Sequence, residues 1–270
     1  MRILLEEYRS TELASMAESS TLIIPVGSTE QHGPHLPVAT DAVMAQYVAR
    51  AAAAKVTTGD TPVLVAPTLN FGASDHHLPR AGTISVTGGV YLAFLNEMLA
   101  SAAKGGFRRM VILNGHGGNE DVARQASRDT AVEYPVMVAA AAYWTMAWPR
   151  LVEICTAHGL GGLPGHAGAF ETSLMQHLVP ELVDLTAVRG EDAADSTPSD
   201  HPLAVPSIET HGWIAEIDGY SNGAGAASAA AGAEALSSIV AATAAFLENF
   251  SKRELPPLVV RSGRNVRTNQ

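Results

Sequence analysis

Glu30, His32 and Asp41 put a carboxylate, an imidazole and a second carboxylate within twelve consecutive residues, in Glu30-Gln31-His32-Gly33-Pro34-His35 and the following Thr40-Asp41. In extended chain, residues two apart point to the same side with Cα atoms roughly 6–7 Å apart, so Glu30 and His32 can serve one metal ion or two adjacent ones. That is the donor chemistry of a hydrolytic metal site. Glu30-Gln31-His32 alone would also fit a polar surface loop with two unrelated histidines. Asp41 and two further clusters weigh against that reading.

The second cluster is Asn114-Gly115-His116-Gly117-Gly118-Asn119, with Glu120-Asp121 opening a helix for which Asn119 is a candidate cap. A glycine-rich turn before a helix can cradle phosphate, but this one has neither lysine nor the G-x-x-x-x-G-K-[ST] order. Its glycines are expected to clear space for a metal and a substrate beside His116. The third cluster is Gly165-His166-Ala167-Gly168-Ala169-Phe170-Glu171-Thr172-Ser173. A helix starting near Ala167 would direct Glu171 back toward its own N-terminus, where it could reach a metal or simply be a favourable early-helix acid.

The first two clusters follow candidate strands. Thr21 to Val26 reads as a short buried strand broken by Gly27, and Met110 to Leu113 as a second ending at Asn114. Polar groups just past strand ends sit at the carboxyl edge, where open α/β sheets place their chemistry. Strands near 21–26, 63–66, 110–114 and 135–141 alternate with helical spacing in Met44, Val48, Ala52 and Val56, in Leu92, Leu95 and Leu99, and in Val122 through Val132. This alternation predicts an α/β fold, a three-layer α/β/α sandwich with a mainly parallel sheet. The alanine-rich run from Gly223 to Phe246 reads as a closely packed C-terminal helix, interrupted by Glu234, Ser237 and Ser238.

One domain over residues 1–250 and a basic, polar tail over 251–270 fit a chain of 270 residues that is 47% hydrophobic. Asp192 to Pro206 reads as a surface loop. A net charge of −10 disfavours nucleic acid as a partner, since a basic patch is needed to displace its counterions. No membrane partner is expected, because no run of eighteen uninterrupted apolar residues occurs. The single cysteine, Cys155, fits a reducing cytoplasm, and the early acids Glu6 and Glu7 do not fit a secretory leader.

Together these stretches resemble the creatininase family of creatinine amidohydrolase-like metal hydrolases. The matching elements are Pro25 through Pro37 with Thr40-Asp41, Gly82-Thr83-Ile84-Ser85, Gly106-Phe107, Asn114 to Asn119 and His166 to Ser173, spread in order over about residues 20 to 245. The resemblance implies two divalent metal ions per subunit (Zn, Mn or Fe) in a homo-oligomer, usually a hexamer. It implies Glu30, His32, Asp41, His116 and Glu171 as ligands, with Asp41 bridging. His166 is similar to a family histidine that assists proton transfer, and His77 to a pocket histidine. A water shared by two metals, its pKa brought down from about 15.7 towards 7, would attack an amide carbonyl.

One departure bears on the substrate. Creatinine hydrolases resemble one another in carrying a glutamate where this chain has Gly118, which argues against creatinine itself. The His-Gly-Gly form is similar to relatives that hydrolyse formamides or cyclic ketones, or trim the mycofactocin precursor peptide. Arg80 beside the mouth is a candidate for a substrate carboxylate or phosphate, or is a solvated surface arginine. Trp144 and Trp148 are candidates for a flat pocket wall, or are core or interface residues. The glycine-rich run Gly159 to Gly165 reads as a flexible lid. The expected activity is hydrolysis of a C–N bond in a small, cyclic or otherwise modified amide. Peptide trimming and formamide hydrolysis are the alternatives among enzymes, and a metal-binding assembly or sensing protein is the alternative outside them.

Overall fold

The computed structural model describes residues 2–189, 212, 219–221 and 223–258. The expected surface loop over 192–206 and the last twelve residues of the tail, 259–270, lie outside the described residues. Among the described residues, four strands, β1 (Thr21–Val26), β2 (Val63–Val65), β3 (Arg109–Asn114) and β4 (Met137–Ala142), form one parallel sheet in the order β2-β1-β3-β4. β1 and β3 pair over their whole length, Thr21 with Arg109 through Val26 with Asn114.

Pro25 lies inside this central strand, where a missing N–H would ordinarily break a ladder. Its carbonyl accepts from the Leu69 amide, so its nitrogen faces the β2 side. There β2 has already ended, the last pair being Ile23 with Val65, and no ladder bond to β3 is lost.

Strand side chains alternate between two cores. Ile23, Val65, Val111 and Leu113 enter one cluster with α2 (Thr40–Val56), α5 (Trp148–His158), α6 (Ala169–Leu178) and α7 (Ala229–Ser251). Leu22, Ile24, Met110 and Ile112 enter the other with α3 (Gly88–Lys104) and α4 (Glu120–Glu133), against which part of α1 (Ser10–Met16) packs. Helices therefore cover both faces, the α/β/α sandwich expected from the alternation.

Among the described residues, α7 alone is long and apolar enough to cross a membrane by length and composition, yet half of its most apolar stretch is buried in the protein. Ala231, Ala235, Leu236, Ile239 and Leu247 of α7 lie in the first core. A Cβ on Gly232 would come within 1.9 Å of the Ser173 carbonyl oxygen, so α7 rests directly on the backbone of α6. The Ser173 hydroxyl donates to Ala169 O at 2.6 Å and accepts from Ser228 N at 2.9 Å, tying the start of α7 to the same helix.

Candidate metal centre

The chain runs from β1 outward to β2, then crosses back to β3 on the other side of β1. Between the carboxyl ends of β1 and β3 the connections leave in opposite directions and open a crevice. The segment after β1 brings Glu30, Gln31 and His32 there, the segment after β3 brings His116, and the first turns of α2 and α6 bring Asp41 and Glu171.

Two glycines at the strand ends admit α2 to this crevice. A Cβ on Gly27 would lie 2.5 Å from Ala42 N, and one on Gly115 would lie 2.5 Å from Asp41 O. Gly115 thus makes room for a helix end, whereas the sequence reading had assigned that space to metal and substrate. Asn119 does not cap α4 through its side chain. Its amide accepts from Ala73 N at 2.9 Å and donates to Gly27 O at 3.1 Å, holding the segment around residue 73 against the end of β1.

The five predicted ligands converge, none more than 5% exposed. Asp41 faces both histidines: Oδ2 lies 3.1 Å from His116 Nδ1, and Oδ1 lies 3.1 Å from His32 Nε2. Glu30 Oε1 is 3.1 Å from His116 Nδ1, and Glu171 Oε2 is 3.9 Å from His32 Nε2. Three donor groups result: Glu30–Asp41–His116 and His32–Asp41–Glu171 share Asp41, and a third joins Glu30 and His32 to His166, with the ligand atoms of each group within 4.8 Å of one another.

The fit to cations can be tested on hydrogen bonding. Among the described residues, Glu30 Oε2, His32 Nε2 and Asp41 Oδ2 are buried without a hydrogen-bond partner, although His32 Nε2 and Asp41 Oδ2 have opposite groups 3.1 Å away. These contacts crowd ring nitrogens and carboxylate oxygens together without satisfying their hydrogen bonds. Buried charges of this kind are stable when they coordinate a metal.

The two candidate histidine ligands are anchored through their other nitrogens, as metal-binding histidines usually are, and Glu171 is held by a backbone amide. His116 Nε2 lies 3.1 Å from the Ala73 carbonyl and 3.2 Å from Ser74 Oγ, leaving Nδ1 for the centre. Ser74 is bonded in turn to Ser28. His32 Nδ1 lies 3.2 Å from Glu30 O, leaving Nε2 for the centre. Glu171 Oε2 accepts from Ala167 N at 2.6 Å. Ala167 meets this bond with φ at 49°, a left-handed conformation rare outside glycine.

Electrostatics follow the same division. Burial would lower the His32 imidazole, but the carboxylates of Asp41, Glu171 and Glu30 override it and raise it to about 10. His116 is held well above its ordinary value by Glu30 and Asp41, again against burial. Glu30 stays well below the usual carboxylate range despite burial, through His116 and His77, while burial pushes Glu171 up to about 7. Burial and the neighbouring His32 and His77 hold His166 well below the usual imidazole value.

His77 and His166 border the centre. His77 Nε2 is 3.1 Å from Glu30 Oε1, and His166 Nδ1 is 3.8 Å from the same oxygen. Their rings lie 4.3 Å apart, and that of His166 is 4.4 Å from His32. Ser221 clamps His166 from outside, its hydroxyl accepting from His166 N at 3.0 Å and its amide donating to His166 O at 2.7 Å. The preceding run, expected as a lid, is pinned by Leu160 and Leu163 in the first core.

Arg80 is half-buried; an added Cβ on Gly219 would meet its guanidinium at 2.8 Å and the Gln31 side-chain oxygen at 2.4 Å. The guanidinium thus sits beside the Glu30–His32 segment. Trp144 and Trp148 are placed otherwise than on an open pocket wall: they are 3% and 4% exposed within the first core, Trp144 packed edge-on against Tyr143. Gly118 is closely hemmed in, since a Cβ there would lie 2.3 Å from Ala73 O and 2.6 Å from His116 Nε2.

Sequence reasoning passed over three polar residues. Gln31 was hidden between two ligands, although its place in Glu30-Gln31-His32 was a usable signal. Ser28 and Ser74 gave none, because their link to His116 exists only after folding.

Proteins of similar sequence and fold point to one family. The family model described as "Creatininase: Creatinine amidohydrolase" matches residues 6–247. The mycofactocin precursor peptide peptidase of Mycobacterium ulcerans (strain Agy99) is 37% identical over 201 residues, covering 72% of this chain and 71% of the relative. The creatinine amidohydrolase of Pseudomonas putida is 30% identical over 209 residues, covering 72% and 77%. A solved structure titled "Creatininase Mn" superposes with a TM-score of 0.76 at 25% identity, over 94% of this chain and all of that one. A creatininase variant of Zn-Zn type gives 0.74 at 26% identity, with the same coverage.

Proposed function

We propose, for a chain that belongs to the creatininase family, that its activity as a hydrolase is the cleavage of a C–N bond in a small amide at a centre of two divalent cations. Asp41 carries this reading, because its two oxygens face two different three-donor sets. Glu30 and His116 would hold one cation, His32 and Glu171 the other, and Asp41 both. Zn, Mn and Fe all suit such a mixture of carboxylate and imidazole. Bound cations would supply a nucleophilic water at neutral pH and polarise a carbonyl oxygen.

The chain's own side chains do the rest. His77 steadies Glu30 through the contact of its Nε2 with Oε1. His166 is half-buried, neutral and next to the centre, suited to take a proton from the attacking water and pass it to a leaving nitrogen. Arg80 would receive a carboxylate on the substrate. The family resemblance extends the reading to a cytoplasmic homohexamer.

Metal analysis of the purified protein tests the centre: about two divalent ions per chain are expected, and Asp41→Ala should lose both. A single ion retained in the variant would overturn the shared carboxylate. Turnover of lactams, imidazolones, formamides and short peptides after reconstitution with Zn, Mn or Fe tests the activity, and no turnover in the whole panel would leave a binding protein.

Peptide trimming is the second reading. It is favoured by the absence of room for any side chain at residue 118 and by the peptidase relative's greater identity. Release of amino acids from short peptides without creatinine turnover would select it.

A further inference from the structure

Gln31 is 6% exposed and belongs to none of the donor groups, yet it touches both histidines that border the centre. Its side-chain oxygen accepts from Gly33 N at 3.1 Å, which fixes the end of the amide that faces the rings. The amide nitrogen then lies 2.9 Å from His77 Nδ1 and 3.0 Å from His166 Nε2. An amide nitrogen carries two hydrogens and accepts none. Both ring nitrogens must therefore be the acceptors.

We propose that Gln31 is a positioning residue that sets the tautomers of His77 and His166 together, directing one proton of each ring toward Glu30 and the cation site. With Nδ1 accepting, His77 carries its proton on Nε2, 3.1 Å from Glu30 Oε1. With Nε2 accepting, His166 carries its proton on Nδ1, the nitrogen facing the same carboxylate at 3.8 Å. The competing arrangement puts the His166 proton on Nε2, donating to the Gln31 backbone carbonyl at 3.0 Å. It would leave a second amide hydrogen aimed at an N–H and turn the bare nitrogen of His166 toward a carboxylate, with two repulsive contacts for one bond. The residue between two predicted ligands thereby aims one ring N–H of each histidine at the site as a hydrogen-bond donor. The inference rests on that reading for its catalytic meaning only, since the tautomers are a property of the chain itself.

Ring-nitrogen NMR of the full chain labelled with 15N-histidine, with and without zinc, tests it. In the wild type, His77 Nδ1 and His166 Nε2 should both give signals of unprotonated nitrogen. Gln31→Glu keeps the shape but replaces the donor with an acceptor, so both signals should move to the protonated position. Gln31→Leu should free His166 Nε2 to donate to the residue 31 carbonyl, moving its signal toward the protonated position, while His77 keeps its proton on Nε2 against Glu30. A protonated His166 Nε2 in the wild type, or spectra unchanged in Gln31→Glu, would overturn the proposal. The wild-type measurement needs no variant to fold. Zinc that fails to bind would sink the hydrolytic reading while leaving the tautomers in place; zinc bound with the opposite tautomer would do the reverse.

Discussion

Gly118 shows how much one hydrogen atom in place of a side chain can decide. Inserting the glutamate that creatinine hydrolases carry would, on motif logic alone, restore creatinine hydrolysis. The local geometry predicts the opposite, because even the first carbon of a side chain would meet the Ala73 carbonyl and the anchored nitrogen of His116. Gly118→Ala should already cost about 1–3 kcal/mol of stability, as overpacking does. It should also weaken zinc binding by displacing His116, and Gly118→Glu should gain no creatinine turnover; calorimetry, competition titration and a creatinine assay read the three. His35 gives a second prediction at this scale. Burial lowers its imidazole to about 4, while an unfolded histidine titrates near 6.5. Between those values the unfolded chain binds the extra proton, so stability falls as pH drops through that window. His35→Gln, which can still bond Thr172, should lose less melting temperature between pH 6.5 and 4 than the wild type.

At the scale of elements, the helix ends do the placing. Asp41 reaches the centre because Gly27 and Gly115 let the start of α2 drop between two strand ends, and Glu171 reaches it because α6 begins just after the left-handed Ala167. The strands were legible in the sequence as short apolar runs, and the clusters after β1 and β3 because ligand types follow soon after a strand-ending glycine, whereas the full set of five candidate donors was implied by the family resemblance. What was not legible depends on distant backbones meeting. The true use of Gly115, the crowding at Gly118 and the links of Ser28 and Ser74 to His116 have no local signature. Trp144 was read from its place after β4, which fixed its height along the strand but not its direction. Contact between α7 and α6 belongs to the same class and can be tested by a reversal of sign. In an exposed helix interior Gly→Ala stabilises by roughly 1 kcal/mol, whereas Gly232→Ala should lower the melting temperature because the new methyl strikes Ser173 O.

Across the whole molecule, the chain with a net charge of −10 buries three carboxylates and two imidazoles at one point of the sheet edge. Divalent cations that bind only the folded form raise its stability by mass action, about 2.7 kcal/mol at a concentration 100 times the dissociation constant. Thermal melts should therefore rise with added zinc or manganese and fall on chelation, and Asp41→Ala should abolish the dependence. The donors come from the segments after β1 and β3 and from the openings of α2 and α6, regions far apart along the chain. Cations held by all of them would act as a reversible cross-link, closing several long loops at once. Such a fastening constrains the escape of the native chain more than its first collapse, so stripping the cations should shorten the protein's lifetime under protease before it alters the speed of refolding.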